Sequence, residues 1–452
     1  MKTLFRSFPR AWSCVSASIW LTLSVTPLAA ADPHSDTSPA VGPSTPVTLE
    51  WIEAQSATLN TNHPALKAAR ARFDAANSQA AGTRRFADPT VRLGGSVFDE
   101  RHMMARDEGN LVYGLEQKLP VLGKESAARA QAEAEAGVAG TRVESLFQQL
   151  RMDLARTVLD AALADETVRI DTEDLAWIDL AVRTAESRFQ SNQGTSVEVL
   201  RLQNERTRRV TQLANDRQRA AAARAWVNHA LGREPLSEVP AFVLPEIAPS
   251  LESTPDLLKR ATANGPLLRE LDRERRAAAA TVESTRRSSR PDLAVGIEGR
   301  EYAGDAGFRN GTLTLSLNLP WWNRAAYRRD LERDRSRLRA VEQDSADAAL
   351  SLRNELHHEL IEISNARREA LASRDELLPR TEQAVTAAMT AWTSNRGLLG
   401  DVLDARRMRL ETRLGLARAI AEQWTRIHVL SRLCGLTARE TLQLTAQAHT
   451  HP

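Results

Sequence analysis

The chain has 452 residues, enough for about three ordinary domains on the usual length scale. Its 60 Lys and Arg nearly balance 58 Asp and Glu. The basic residues are interleaved with acids along helical patterns, which makes a solvated helix face and excludes a phosphate-binding patch for nucleic acid.

At the N-terminus, Lys2, Arg6 and Arg10 precede a mostly apolar or small stretch, and Ala29-Ala30-Ala31 supplies the small residues a signal peptidase reads. Residues 1–31 are therefore expected to be a secretory signal peptide. A retained anchor helix fits less well, because the apolar run is shorter than the ~20 residues a span needs and Pro27 interrupts its end. Cys14 falls inside the signal, so only Cys434 remains and no internal disulfide can form. Residues 32–48 form a Pro/Ser/Thr-rich leader. Beyond the signal no apolar run reaches ~18 residues, so a chain of this kind would cross a bilayer only with β-strands.

The rest of the sequence is written twice. Asn62-His63-Pro64 recurs as Asn264-Gly265-Pro266, Asp88-Pro89 as Arg290-Pro291, and Leu119-Pro120 as Leu319-Pro320. Ser191-Asn192-Gln193-Gly194 recurs as Ser394-Asn395-Arg396-Gly397, Val199-Leu200 as Val402-Leu403, and Leu231-Gly232 as Cys434-Gly435. The offsets all lie between 200 and 203 residues, which marks a tandem duplication. The boundaries follow: a first repeat at 49–232, a linker at 233–255, a second repeat at 256–435 and a C-terminal tail at 436–452.

Each repeat opens with a helical segment, 49–85 and then 255–288. Two alternating stretches come next. Leu313, Leu315, Leu317 and Leu319 alternate with Thr312, Thr314, Ser316 and Asn318, and Leu293, Val295 and Ile297 alternate with Asp292, Gly296, Glu298 and Arg300. In the first repeat Leu111, Tyr113, Leu115 and Leu119 alternate with Gly114, Glu116 and Lys118, with Val91, Leu93 and Val97 on the partner strand. About ten residues of period two with one apolar face is the pattern of a transmembrane barrel strand; a hairpin on a soluble core is the other reading. Between Pro120 and Asn192 lie about seventy proline-free residues rich in Ala, Arg, Glu, Gln and Leu, a helix of roughly 100 Å. Leu175, Ile178, Val182, Ala185 and Phe189 step by threes and fours along it, and Leu403, Leu410, Leu414, Ala417, Ala421 and Trp424 step by seven and then by fours and threes on the last helix, giving coiled-coil seams. Helices this long and thin must pair with one another. The nearest approach to an enzyme motif, His357-His358-Glu359-Leu360-Ile361-Glu362, lacks the second histidine of the zinc-protease helix and is expected on a wet helical face. No catalytic, cofactor-binding or metal site is assigned.

The duplicated order of helix, hairpin, long helix, Gly-containing tip and return helix resembles the TolC family of outer-membrane efflux proteins over essentially the whole mature chain. Four stretches carry the resemblance: Gln117-Lys118-Leu119-Pro120-Val121-Leu122-Gly123-Lys124 at the strand-to-helix junction, Leu377-Leu378-Pro379-Arg380-Thr381-Glu382 at a proline kink, and the two tips at 189–200 and 392–405. Gly400-Asp401-Val402-Leu403-Asp404-Ala405 is similar to the family's DVLDA signature, although the tip glycine sits closer to the aspartate than is usual. The junction and short loops are most similar to the heavy-metal branch, CzcC and CusC.

The resemblance implies a mainly α protein with a β-barrel portion, four strands per chain closing a 12-stranded barrel as a homotrimer. It would be a passive gated conduit in the outer membrane, with a periplasmic extension, a periplasmic adaptor (membrane fusion protein) and an inner-membrane transporter of the RND type, exporting metal ions or drugs chosen by that transporter. Glu116, Lys118, Thr312, Thr314, Ser316 and Asn318 would face the pore. Trp321 and Trp322 would form an interfacial girdle or a buried joint. Asn192, Gln193, Gly194, Thr195, Asn395, Arg396, Gly397 and Leu398 would dock the adaptor, or merely form turns, and glycine is expected to supply the turn angles. Asp401 and Asp404, matched in the first repeat by Glu198 and Arg201, would form the periplasmic gate, or merely start a helix. The rival from another class is a periplasmic helical-hairpin scaffold or adaptor without a pore.

Overall fold

The computed structural model describes residues 45–95, 110–251, 255–302 and 307–447; the expected signal peptide, most of the leader, and Val97 lie outside them. Helix α1, Leu49–Asn62, starts at Thr48, whose hydroxyl accepts the Trp51 N–H at 3.1 Å. The expected segment 49–85 is in fact two helices. His63 precedes a proline and is held extended at ψ 126°, so the chain breaks there before α2, Pro64–Gly82. The second repeat breaks at Gly265, between α5, Pro255–Asn264, and α6, Pro266–Ser288.

Strands β2, Thr90–Gly95, β3, Asn110–Leu119, β5, Leu293–Tyr302, and β6, Gly307–Leu317, form one antiparallel sheet in the order β2-β3-β5-β6. The two repeats thus join through β3 and β5, leaving β2 and β6 as its edges. From β3 the chain enters α3, Lys124–Gln190, 67 residues without a break and about 100 Å long. It returns as α4, Ser196–Ala230. The second repeat descends as α7, Arg324–Ala372, and α8, Leu378–Thr393, and returns as α9, Leu399–Cys434. Between α7 and α8, Ser373–Leu377 widens into a π-helical turn immediately ahead of Pro379. Proline has no N–H to give to the ladder, and the wider turn absorbs that break. The kink expected there is therefore this turn.

Both return helices end alike, with Gly232 at φ 69° and Gly435 at φ 66°. The next N–H reaches back five residues in each, Arg233 to the Asn228 carbonyl at 2.8 Å and Leu436 to that of Ser431 at 2.9 Å. Only a left-handed residue closes a helix this way. Among the described residues no helix is long and apolar enough to cross a membrane.

The linker and tail are more structured than their composition indicates. Thr45–Pro46 (β1) pairs in parallel with Phe242–Val243 (β4), and the Phe242 N–H donates to Asp165 on α3 at 2.9 Å. Gln423, wholly enclosed on α9, accepts the Ala248 N–H at 3.0 Å and donates to the Ala248 carbonyl at 3.1 Å. Buried Phe242, Ala248 and Leu251 thus tie the linker into the two apolar clusters that lie under it. The tail forms α10, Ala438–Gln447, anchored by the Thr441 hydroxyl on Ser431 at 2.9 Å.

Candidate functional site

Two places gather the chemistry expected of the chain: the faces of the sheet and the tips of the helical hairpins.

Register sorts the sheet into two faces. Glu116 lies opposite Gly296, which lies opposite Thr314; Lys118, Ala294 and Ser316 form the next row, and Gly114, Glu298 and Thr312 the one before. Glu116, Lys118, Thr312, Thr314 and Ser316 therefore share one face, on which Arg92 pairs with Glu116 and Arg300 with Glu298. Asn318 falls one residue past β6, where its N–H continues the ladder to the Asp292 carbonyl at 3.0 Å. Leu115, Ile297 and Leu313 cross the other face in one row, all exposed, Leu313 at 75%. Gln117 breaks the alternation on that face, because its amide reaches out to the Ala87 carbonyl at 2.8 Å. Small residues fit the polar face. A Cβ at Gly296 would lie 2.8 Å from the Thr314 hydroxyl. Trp321 and Trp322 follow β6 in a 3-10 turn, Pro320–Asn323, and both are exposed on the chain rather than buried in a joint.

At the tips the two repeats turn with the same hydrogen bonds. The Gln193 N–H bonds the Arg188 carbonyl and the Arg396 N–H the Ala391 carbonyl, both at 2.8 Å. The left-handed residues are Asn192, φ 54°, and Asn395, φ 59°, not the glycines the sequence singled out. Asparagine tolerates that region. Gly194 and Gly397 are needed for space. A Cβ on Gly397 would lie 2.9 Å from the Ala391 Cβ, and one on Gly194 would lie 3.2 Å from the Arg188 Cβ.

Arg188, which the sequence reading missed, clasps one tip to the other. Its guanidinium donates to the carbonyls of Trp392 at 2.5 Å, Thr393 at 2.8 Å and Gln193 at 3.0 Å, and to the Asn395 side chain at 2.5 Å. It also sits 4.9 Å over the ring of Trp392, which is fully buried. Among the described residues the Trp392 Nε1 and Arg188 Nε find no partner. The matching residue in the second repeat is Ala391, so the clasp runs one way.

The seam itself is phased differently from expectation. Ile178, Val182 and Ala185 are buried as expected, but Asp171 joins the row of Ile178 and Ala185, and Asp174, Ala181 and Arg188 form a further buried row. Phe189 is exposed and Leu175 only half-buried. At these two places the buried residue is the polar neighbour one position earlier, Asp174 and Arg188. The buried acids are held in a network across three helices. Arg406 on α9 grips Asp174 with two bonds, 2.8 and 2.6 Å, and Arg209 on α4 bridges Asp171 and Asp174 at 3.0 Å each. Burial, and then a hydrogen bond with Asp216, push the Asp171 carboxyl up to about 6.

Asp401 and Asp404 are both exposed on the first turns of α9. Asp401 accepts the Leu398 N–H at 3.4 Å, so it does close the helix start. Thr195 caps α4 through its own hydroxyl, 3.3 Å from the Glu198 N–H, a role Leu398 cannot fill. Around the tips Val197, Leu200 and Leu398 are exposed, Leu398 at 72%. The His-His-Glu stretch is not uniformly wet as expected. His357 and His358 are exposed, but Glu359 is buried against Arg426 at 3.4 Å, and burial raises its carboxyl pKa.

No protein-family model and no curated protein matches the chain. Solved structures do. CusC aligns over 86% of this chain and 92% of its own at a TM-score of 0.74 and 14% identity. The outer-membrane protein VceC of Vibrio cholerae aligns over 85% and 96%, at 0.72 and 16%. The outer-membrane channel CmeC of Campylobacter jejuni aligns over 89% and 92%, at 0.71 and 12%. The similarity to CusC does not single out a metal branch, since the others superpose about as well.

Proposed function

We propose that this chain, which has the fold of outer-membrane channels of the TolC type, is the outer-membrane conduit of a tripartite efflux pump. The observation that carries the reading is a four-stranded sheet with one polar face, one leucine-rich face and two open edges, set on helical hairpins about 100 Å long. Open edges are not tolerated in lipid. Three copies, pairing β6 of one with β2 of the next, would close a 12-stranded barrel, with Glu116, Lys118, Thr312, Thr314, Ser316 and Asn318 inside and the leucines toward lipid. The hairpins would continue below as a hollow periplasmic cylinder. Trp321 and Trp322 fit the inner rim of the membrane. The adaptor would dock on Asn192, Gln193, Gly194, Thr195, Asn395, Arg396, Gly397 and Leu398, where Leu398 exposes an apolar side chain and Val197 and Leu200 do so just past the first tip. Asp401 and Asp404, six carboxylates in a trimer, would ring the closed end and attract cations. Residues 1–31 would be the export signal. The driving transporter would be of the RND type, carrying metal ions or drugs.

A pore-free periplasmic scaffold fits the helices but leaves the two matched strand pairs without a purpose. The full chain, expressed with its own N-terminus, should remain with the outer membrane after a salt wash and open single channels in planar bilayers. Recovery in the soluble periplasmic fraction with no conductance would sink the channel reading.

A further inference from the structure

Directly after the last strand, a cleft of about 240 Å³ opens between the end of α6 and the start of α7. Arg286 comes from α6, Trp321 from the 3-10 turn, and Arg324, Tyr327 and Arg328 from α7. Among the described residues neither Arg324 nor Arg328 is paired with a carboxylate, and Arg286 shares Glu283 with Arg287. The first turn of α7 carries no acid and its Asn323 makes no side-chain cap, so Arg324 adds to the positive end of the helix dipole; the nearest carboxylates are Glu283, on Arg286, and Asp334, which accepts from Thr285 and is paired with Arg333 and Arg337. Three arginines thus line one open space, two of them without an acidic partner, which makes the cleft a local excess of cations.

Its position says what that excess faces. Exposed Leu313, Leu315 and Leu317 on β6 are followed by exposed Trp321 and Trp322, and these by Arg324 and Arg328. Apolar, then aromatic, then cationic within sixteen residues is the layering of one membrane leaflet from acyl chains through interface to phosphates.

We propose that this cleft binds the phosphate of an anionic phospholipid in the leaflet facing the periplasm. The proposal rests on the channel reading above. Guanidinium groups take phosphate oxygens in pairs, which lysines cannot do. Trp321 and Tyr327 would cover the glycerol backbone beside them. The lipid would thereby brace the joint between sheet and helices, since Arg286 stands on α6 and the other two arginines on α7.

The test uses the full-length chain, purified in mild detergent and titrated with phosphatidylglycerol or phosphatidylcholine while bound lipid is counted by native mass spectrometry. Wild type should retain phosphatidylglycerol in preference. The combined change Arg286→Gln, Arg324→Gln and Arg328→Gln should weaken that binding roughly tenfold or more, while phosphatidylcholine binding stays as it was. The single change Arg328→Gln, gentler on folding, should give an intermediate loss. Equal retention of the two lipids, or an unchanged triple variant, overturns the proposal. So does competition by inorganic phosphate at the same concentration as the lipid, which would make the cleft a free-anion site. Dissociation of the triple variant into single chains would make it a contact between copies and overturn it too. All these outcomes are read on a chain that conducts in bilayers. A wild-type chain that neither inserts nor conducts removes the channel reading itself, and this one with it.

Discussion

Arg188 has the densest set of interactions at the tips. It is nearly enclosed, and four acceptors in two repeats depend on it. Removing a buried cation strands its partners, at a cost of about 3 kcal/mol. Arg188→Gln should therefore leave the chain folded but free the tips from each other. Limited proteolysis near 190–197 and 392–398 should speed up well before global unfolding, and cleavage at the wild-type rate would contradict the clasp. A second residue sets a pH dependence. His428 is enclosed, and burial, then the nearby Arg151, lower its pKa to about 4. An unfolded histidine takes a proton below its ordinary pKa of about 6.5, which the folded one refuses until near 4. Stability should thus fall as pH drops through that window, by on the order of 3 kcal/mol. Asp171, with its pKa raised to about 6, acts in the opposite direction, because the folded state keeps a proton the unfolded chain releases. Thermal unfolding followed by helical circular dichroism at pH 7 and pH 5 separates them. His428→Leu should flatten the acid loss, and Asp171→Asn should steepen it.

At the scale of elements, the two hairpins share their turns but not their rigidity. The first descends in one unbroken helix; the second is interrupted by the π-helical turn and Pro379, and its last segment, α8, is held to the first hairpin by Arg188. Both turns depend on space rather than on glycine angles at 194 and 397. The docking proposal is tested at Thr195 and Leu398, both exposed. Thr195→Trp and Leu398→Trp should abolish efflux in cells while membrane insertion and conductance stay normal. Loss of insertion along with efflux would leave these residues as turn formers only.

For the whole molecule, the proposed assembly brings three copies of the Asp401–Asp404 face around one axis. Confined like charges raise the local concentration of cations, and multivalent ones most. Asp401→Ala with Asp404→Ala should change single-channel conductance and weaken block by multivalent cations. Asp401 also closes the helix start on Leu398, so Asp404→Ala alone separates the two roles. Wild-type conductance and block in both variants would reduce the pair to helix-start residues. The trimer itself should run on an unheated gel as a species that heat converts to single chains.

The sequence by itself determined the duplication, the four strands and their two faces, and the long helices, because each is a local period that one element imposes on its own residues. It also contained a signal for the buried network that went unused: Asp171, Ile178 and Ala185, and Asp174, Ala181 and Arg188, are two rows at spacing seven with charges in seam positions. Only the tertiary structure decided which of the possible rows was buried, because an acid can occupy a seam only when an arginine from another helix meets it. Arg406 lies 232 residues from Asp174, and no local pattern announces that meeting. The same holds for the linker and tail. Their composition reads as loose chain, and they are ordered by Asp165, Gln423 and Ser431 on helices far away in sequence. Likewise the left-handed turn residues at the tips proved to be Asn192 and Asn395, since the neighbouring glycines were required by the closeness of Arg188 and Ala391 across the turn, a distance that exists only once the chain has folded back.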